Sequence, residues 1–109
     1  MHELAVVESI VAAVGEKIRP RRAARVRLQV GALSGVLPEA LRFCFDLCAR
    51  GTTLDGAALE IDEIPGRARC RSCGAELAIA SFLDLCPCGS ADLDVHTGQE
   101  LRIKEVEVN

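Results

Sequence analysis

The amino-acid sequence predicts an α+β fold: two helices packed on a three-stranded sheet, with a small cysteine-rich lobe inserted before the last strand. Apolar residues recur at spacings of three and four along residues 4–18, which is the period of an amphipathic helix. Apolar and polar residues alternate along residues 25–30, as in a half-buried strand. Four of the six cysteines fall in two close pairs within residues 70–88.

The composition predicts an aliphatic core. Half of the 109 residues are hydrophobic, but only 3% are aromatic, and none is Trp or Tyr. A chain of this length is enough for one compact domain but not for two of ordinary size. We therefore expect valine, leucine, isoleucine and alanine to fill the interior.

Charge and hydropathy argue against nucleic-acid and membrane binding. The formal net charge is −3, whereas proteins that hold a phosphate backbone are usually basic. The sequence has no apolar run of about 18 residues, and no basic segment precedes an apolar one at residues 1–4. We expect a cytoplasmic protein whose thiols stay reduced, and there paired cysteines more often bind metal than form disulfides.

The first predicted helix covers residues 4–18. Arg19-Pro20 ends it, because the residue before a proline is disfavoured in the helical region. The helix is expected to bury one stripe of apolar side chains. That stripe consists of Leu4, Val7, Val11, Val14 and Ile18.

The middle of the chain predicts a strand, a helix and a second strand. The first strand covers residues 25–30, and the loop 31–37 follows it. Pro38 suits the first turn of a helix, and Gly51 suits its end. The apolar face of this helix is expected to contain Leu41, Cys44, Phe45 and Cys48. The second strand covers residues 57–62, before Pro65-Gly66 interrupts the pattern.

The last predicted strand covers residues 101–108 and changes phase along its length. Leu101 and Ile103 are odd positions, whereas Val106 and Val108 are even ones. An extra residue near Lys104 would explain the change, because a β-bulge shifts the alternation by one position. We expect residues 1–66 plus 97–109 to form one α/β domain and residues 67–96 to form a separate metal-binding lobe.

The lobe carries the strongest local signal in the sequence. Cys70 and Cys73 are separated by two residues, Cys86 and Cys88 by one, and a glycine follows each pair. Glycine permits a turn with positive φ, and such a turn aims two sulfurs at one point. Four thiolates in a tetrahedron suit a closed, structural Zn²⁺ site. The lobe is therefore predicted to be a zinc-ribbon-like Cys₄ unit.

Alternatives for the lobe remain open at this level. A Cys-x-Cys turn is tighter than Cys-x-x-Cys, so His96 or another cysteine could replace one member of the ligand set. His96 could equally be an exposed loop residue. The pairs could also be reduced thiols without a metal. Redox catalysis by Cys70 and Cys73 fits less well, since the context of a thioredoxin-like helix is absent from the sequence.

Cys44 and Cys48 lie four residues apart and therefore share one face of the second predicted helix. They could bind a soft metal ion, or they could be small apolar residues that pack in the core. The second interpretation is the more general habit of free cysteines.

The amino terminus allows a different kind of metal chemistry. A histidine at position 2 is usually an ordinary residue on a frayed end. However, a free α-amine, the backbone amide of His2 and its imidazole are able to chelate one ion, and nitrogen donors in a square plane suit Ni²⁺ or Cu²⁺. The Glu3 carboxylate lies within reach as a further ligand.

Taken together, these motifs resemble the HypA/HybF family of hydrogenase nickel-insertion accessory proteins. The resemblance rests on Met1-His2-Glu3-Leu4, on residues 30–36 and 43–46, and on the late paired cysteines, and it covers nearly the whole chain. One departure is that the family usually has Cys-Pro-x-Cys where this chain has Cys86-Pro87-Cys88.

The resemblance implies a nickel metallochaperone and not an enzyme. By resemblance, His2 is the principal Ni(II) ligand, with the Met1 amine and Glu3 beside it. Structural Zn(II) would be bound by Cys70, Cys73, Cys86 and Cys88. The implied partners are the large subunit of a [NiFe] hydrogenase and the partner GTPase of the maturation pathway. We expect a monomer or a weak homodimer.

A second functional hypothesis is a zinc-ribbon module that binds nucleic acid or a protein. Arg67, Arg69 and Arg71 would favour it, but the acidic net charge does not, and such clusters are usually solvated faces. An enzyme ranks last, since the sequence offers no activated nucleophile or open catalytic metal site.

Overall fold

The computed structural model describes residues 2–109 and shows an elongated chain with extents of 54, 21 and 17 Å. It contains two helices and two three-stranded sheets. In chain order the elements are α1 (Glu3–Ile18), β1 (Ala23–Gly31), α2 (Pro38–Ala49), β2 (Ala58–Ile64), β3 (Gly66–Cys70), β4 (Glu76–Ile79), β5 (Leu93–Thr97) and β6 (Leu101–Val108). Within residues 2–109, no helix has the length and hydropathy that crossing a bilayer requires.

The first sheet has the order β2-β1-β6 and carries both helices. β1 lies at its centre, parallel to β2 and antiparallel to β6. The parallel pair follows from α2, which connects β1 to β2 as a crossover, because parallel neighbours cannot be joined by a tight turn. The predicted fold class, with two helices on a three-stranded sheet, is confirmed.

The core between the helices and this sheet is aliphatic, as predicted, with Phe45 as its only fully buried aromatic residue among residues 2–109. Val26, Leu28 and Val30 point from β1 toward the helices and are 0–1% exposed. The expected stripe of α1 needs one correction: Leu4 is 50% exposed, because it lies in an open groove with Ala40 and Cys44 and not in the buried core. On α2, Leu41 and Phe45 are buried, while Cys44 and Cys48 lie only at the edge of the core.

β6 contains the bulge that its sequence predicts. Arg27 pairs with Glu105 and Leu28 pairs with Ile103, so that Lys104 has no counterpart on β1. The extra residue allows both Ile103 and Val106 to pack against the core, although their positions differ in parity.

The opposite face of the first sheet carries ion pairs. Arg27 contacts Glu60 at 3.0 Å and Glu105 at 3.2 Å, and so connects all three strands. Partial burial raises the pKa of Glu60, but hydrogen bonds from Arg27 and Arg25 outweigh it and hold that pKa below its ordinary value. This face is therefore a solvated, charged surface.

The second sheet forms the cysteine lobe and has the order β4-β3-β5, with antiparallel pairing throughout. The sequence predicts a cysteine lobe here but none of its three strands. The buried apolar cluster under the sheet contains only Leu33, Ala68 and Ile79. A cluster of this size stabilises little by itself.

The two sheets meet at a tight junction. Leu33 follows β1 in the chain but packs into the core of the lobe. The Leu33 N–H donates to the Gly98 carbonyl at 2.6 Å, and the Gly31 N–H donates to the Glu100 carbonyl at 2.7 Å. A Cβ on Gly31 would lie 2.0 Å from the Gly98 oxygen, so the backbones approach as closely as glycine permits. The domain boundaries given above stay a prediction.

Candidate metal centres

The first cysteine pair lies where β3 ends. Cys70 is the last residue of β3, and its carbonyl accepts a hydrogen bond from the Gly74 N–H at 2.8 Å. Gly74 has a φ of +79°, as expected for the residue after a cysteine knuckle. The turn thus places the sulfurs of Cys70 and Cys73 on the same side.

The second pair lies on an even tighter turn. The Gly89 N–H donates to the Cys86 carbonyl at 2.8 Å, and Gly89 has a φ of +93°. The Cys86 N–H donates to the Ser90 carbonyl at 2.9 Å and closes the turn. The single residue between Cys86 and Cys88 is therefore enough to bring both sulfurs to one side.

The four sulfurs converge. All lie within 4.8 Å of one another, and they form the only such group of three or more metal-binding side chains among residues 2–109. Cys70 Sγ is 3.7 Å from Cys88 Sγ, and Cys73 Sγ is 3.6 Å from Cys86 Sγ. A tetrahedral zinc site with bonds of about 2.3 Å has sulfurs roughly 3.8 Å apart. The spacing therefore fits a tetrahedral metal ion, and it is much longer than a disulfide bond.

The two turns are also fastened to each other. The Ser72 and Ser90 hydroxyls are 2.9 Å apart. Arg71 donates to the carboxylates of Asp92 at 3.0 Å and Asp94 at 3.4 Å. Arg71 is thus bound within the lobe, which weakens the case for a basic nucleic-acid surface there.

Electrostatics within the cluster favour a cation. The backbone N–H of Cys73, together with that of Ser72 and the Cys88 thiol, lowers the pKa of Cys70 to about 6 despite partial burial. The Cys88 amide favours the Cys86 thiolate, but burial and the neighbouring sulfurs outweigh it and raise the pKa of Cys86 to about 12. The Cys70 thiol therefore ionises more readily than an ordinary cysteine, and the Cys86 thiol ionises less readily. Metal uptake must therefore release protons, and it weakens as the pH falls.

His96 does not belong to this group. It lies on β5 with an exposed side chain, and the four-sulfur cluster does not include it. Val95 packs against the lobe core, and the alternation of a strand turns the next side chain to the other face.

The amino-terminal residues begin α1. His2 is exposed and occupies the N-cap position, where its carbonyl accepts the Val6 N–H at 3.1 Å. Its own backbone N–H precedes the helix and is not required for helical hydrogen bonding. Met1, named above as a nickel ligand, lies outside the described residues.

Glu3 is fixed in position by the second helix. Its Oε2 accepts a hydrogen bond from the Leu37 N–H at 3.0 Å, and Leu37 is the N-cap residue of α2. This amide holds the pKa of the Glu3 carboxyl below its ordinary value. The carboxylate is therefore ionised at neutral pH and is held directly beside His2.

Two open grooves run along α1, and Glu8 lies on both. The amino-terminal groove is lined by His2, Glu3, Leu4, Ala5, Glu8, Ala40 and Cys44. The helix groove is lined by Glu8, Val11, Ala12, Gly15, Glu16, Arg19, Cys48, Gly51, Thr52 and Thr53. Glu8 has no signal in the sequence, because only the packing of α1 against α2 brings it near the cysteines.

The comparisons with known proteins agree with this architecture. A family model described as hydrogenase/urease nickel incorporation, metallochaperone, HypA matches residues 1–108. A protein named hydrogenase maturation factor HypA from a Nostoc species is 53% identical over 108 residues, which cover 99% of this chain and 96% of that protein. A protein of the same name from Geobacter metallireducens is 45% identical over 109 residues, which cover 99% of each.

The fold is also that of a solved relative. The solution structure of the nickel metallochaperone HypA from Helicobacter pylori superposes with a TM-score of 0.66 at 22% identity, over 99% of this chain and 97% of that one. The resemblance stated from the sequence motifs is confirmed, and so is the prediction that the chain is not an enzyme. The chain belongs to the HypA family of hydrogenase/urease nickel-incorporation metallochaperones.

Proposed function

We propose that this chain binds Ni²⁺ at its amino terminus and delivers it to the large subunit of a [NiFe] hydrogenase during maturation. One observation carries the proposal. In a chain of a nickel-incorporation family, an exposed His2 stands directly before α1, beside a Glu3 carboxylate that α2 holds in place. The ligands are the His2 imidazole and backbone amide, the Met1 amine and the Glu3 carboxylate.

The chemistry of these donors favours Ni²⁺. An amine, an amide nitrogen and an imidazole nitrogen in adjacent residues form fused chelate rings, and nitrogen donors in a plane suit Ni²⁺. The Leu37 amide binds one oxygen of the Glu3 carboxylate and so keeps this group in place, and a carboxylate has a second oxygen that is able to bind an ion.

An exposed site at the chain start also suits transfer. The acceptor is able to approach His2 from solvent and replace its ligands one by one, since an exposed residue has no surrounding structure to open. A closed four-sulfur site has no such approach. We therefore assign cargo binding to the amino terminus and not to the lobe.

The lobe site is structural in this proposal. Cys70, Cys73, Cys86 and Cys88 would hold Zn²⁺, whose role there is to fold the lobe by joining the two turns. The remaining parts of the proposal are cytoplasmic location, the maturation GTPase as a partner, and a monomer or weak homodimer.

Hydrogenase maturation in cells tests the proposal. In a host that lacks its own copy of this factor, the His2→Ala variant is expected to lower the nickel content of the hydrogenase large subunit at least about tenfold, since it removes a first ligand. The chain offers a matched control, because His96→Ala changes its only other histidine. Equal nickel content in the His2→Ala and wild-type strains would refute amino-terminal delivery.

A further inference from the structure

The cysteine pair on α2 takes no part in either metal centre described above. Cys44 and Cys48 are one helical turn apart, and both are only partly buried at the edge of the main core. A pair that merely filled the core would be expected to lie fully inside it, as Leu41 and Phe45 do. The thiols instead line the two grooves beside α1.

Glu8 faces this pair from the neighbouring helix. It shares the amino-terminal groove with Cys44 and the helix groove with Cys48. Burial raises the pKa of the Cys48 thiol, and the nearby charges of Glu8 and Cys44 raise it further. The three side chains are therefore close enough to interact electrostatically across the helix interface.

The amino-terminal groove connects two members of this trio to the proposed nickel site. His2, Glu3, Glu8 and Cys44 all line this groove, whereas Cys48 lines the helix groove. An ion that leaves His2 along this surface therefore meets a carboxylate and a thiol of the same chain before it reaches bulk solvent.

Two thiolates and a carboxylate form a ligand set for a borderline or soft divalent ion. Side chains four apart on a helix lie about 5–6 Å apart at Cβ, a separation that two metal–sulfur bonds of about 2.3 Å can bridge. The described residues hold no second group already within 4.8 Å, so binding requires rotation of these side chains. Partial exposure leaves Cys44 and Cys48 room to rotate.

We propose that Glu8, Cys44 and Cys48 form a second, transient Ni²⁺ site beside the amino-terminal one. Each thiol releases its proton to solvent as its sulfur binds the ion, and no electron is transferred. The proposal takes Ni²⁺ as the ion because it rests on the proposed function. It gives the chain a second position for its cargo, thiolate-rich where the first is nitrogen-rich.

Nickel titration followed by thiolate-to-nickel charge-transfer absorption tests this site. The protein is used untagged and zinc-loaded, so that the lobe thiolates are already occupied. The wild type is expected to develop the absorption band, and the Cys44→Ser/Cys48→Ser double variant is expected to lose it while keeping its zinc. Glu8→Gln changes an exposed side chain, and it is expected to raise the nickel concentration at the midpoint of the titration at least about tenfold.

Matched variants separate the possible outcomes. Glu16→Gln alters a carboxylate of the same helix groove two turns further along α1, and it should leave the midpoint unchanged. No band in the wild type, or a band that persists in the double variant, would overturn the second site. If instead His2→Ala leaves total nickel uptake unchanged, the amino-terminal proposal fails while the second site stands.

Discussion

Replacing Cys70 by serine is expected to unfold the cysteine lobe and to remove its zinc. Cys70 is 1% exposed, ends β3 and lies 3.7 Å from the Cys88 sulfur, so it is central to the cluster. The apolar core of the lobe contains only three buried residues, whereas structural zinc contributes about 10–16 kcal/mol to the folding of small metal-dependent peptides. Most of the stability of the lobe should therefore depend on the metal.

Zinc content and limited proteolysis measure this effect. The Cys70→Ser variant is expected to lose nearly all of its zinc and to be cleaved within residues 71–92 at least about tenfold faster, as local opening becomes favourable. Cys44→Ser is the matched control, since it changes a thiol on α2, outside the lobe. A Cys70→Ser protein with full zinc and wild-type protease resistance would contradict the structural role of the cluster.

Replacing Gly31 by alanine is expected to destabilise the whole chain. The added Cβ would lie 2.0 Å from the Gly98 oxygen and 2.7 Å from the Gln99 nitrogen, and both are backbone atoms that no side-chain rotation can move. Separating Gly31 from the Gly98–Gln99 backbone would also disturb the Leu33 hydrogen bond to Gly98 and the core of the lobe. We expect a loss of about 3 kcal/mol, and a melting temperature lower by roughly 10–20 °C.

Gly15→Ala is a control that should change the stability of the chain in the opposite direction. Gly15 lies inside α1, and its added Cβ would meet Thr53 at 3.6 Å and Leu54 at 3.8 Å, which are ordinary contact distances. Alanine in place of a helical glycine should stabilise the chain by about 0.5–1 kcal/mol. Thermal unfolding of both variants gives the comparison. If Gly31→Ala has the same melting temperature as the wild type, the two sheets are not packed as tightly as the structure shows.

The main α/β unit could be predicted because its periodicities are strong. The spacing of Val7, Val11 and Val14 indicated α1, and the alternation of Val26, Leu28 and Val30 indicated β1. Even the bulge at Lys104 could be inferred, since the sequence itself shows a phase change. Leu4 was the exception, because periodicity does not reveal where a helix extends beyond the core.

The strands of the lobe could not be predicted in the same way. In β3 the side chain between Arg67 and Arg69 is Ala68, which is too small to indicate a buried face. β4 contains four residues, fewer than a reliable pattern needs. The lobe is shaped by strand pairing and cysteine turns, and neither leaves a hydrophobic period in the sequence.

The candidate sites also differ in how far the sequence predicts them. The spacing of the two cysteine pairs within one short segment predicted the lobe site, and the family motifs around His2 indicated the amino-terminal one. Two other contacts depend on how α1 packs against α2. They are the hydrogen bond from the Leu37 N–H to Glu3 and the approach of Glu8 to Cys48. Contacts between residues so far apart in the chain leave no local signal.

Calorimetric titration of nickel into untagged, zinc-loaded protein tests the central proposal most directly. We predict that the wild type shows a nickel-binding event at the amino terminus, that His2→Ala loses this event while retaining its zinc, and that His96→Ala behaves as the wild type. An unchanged nickel affinity in His2→Ala would contradict the assignment of cargo binding to the start of α1.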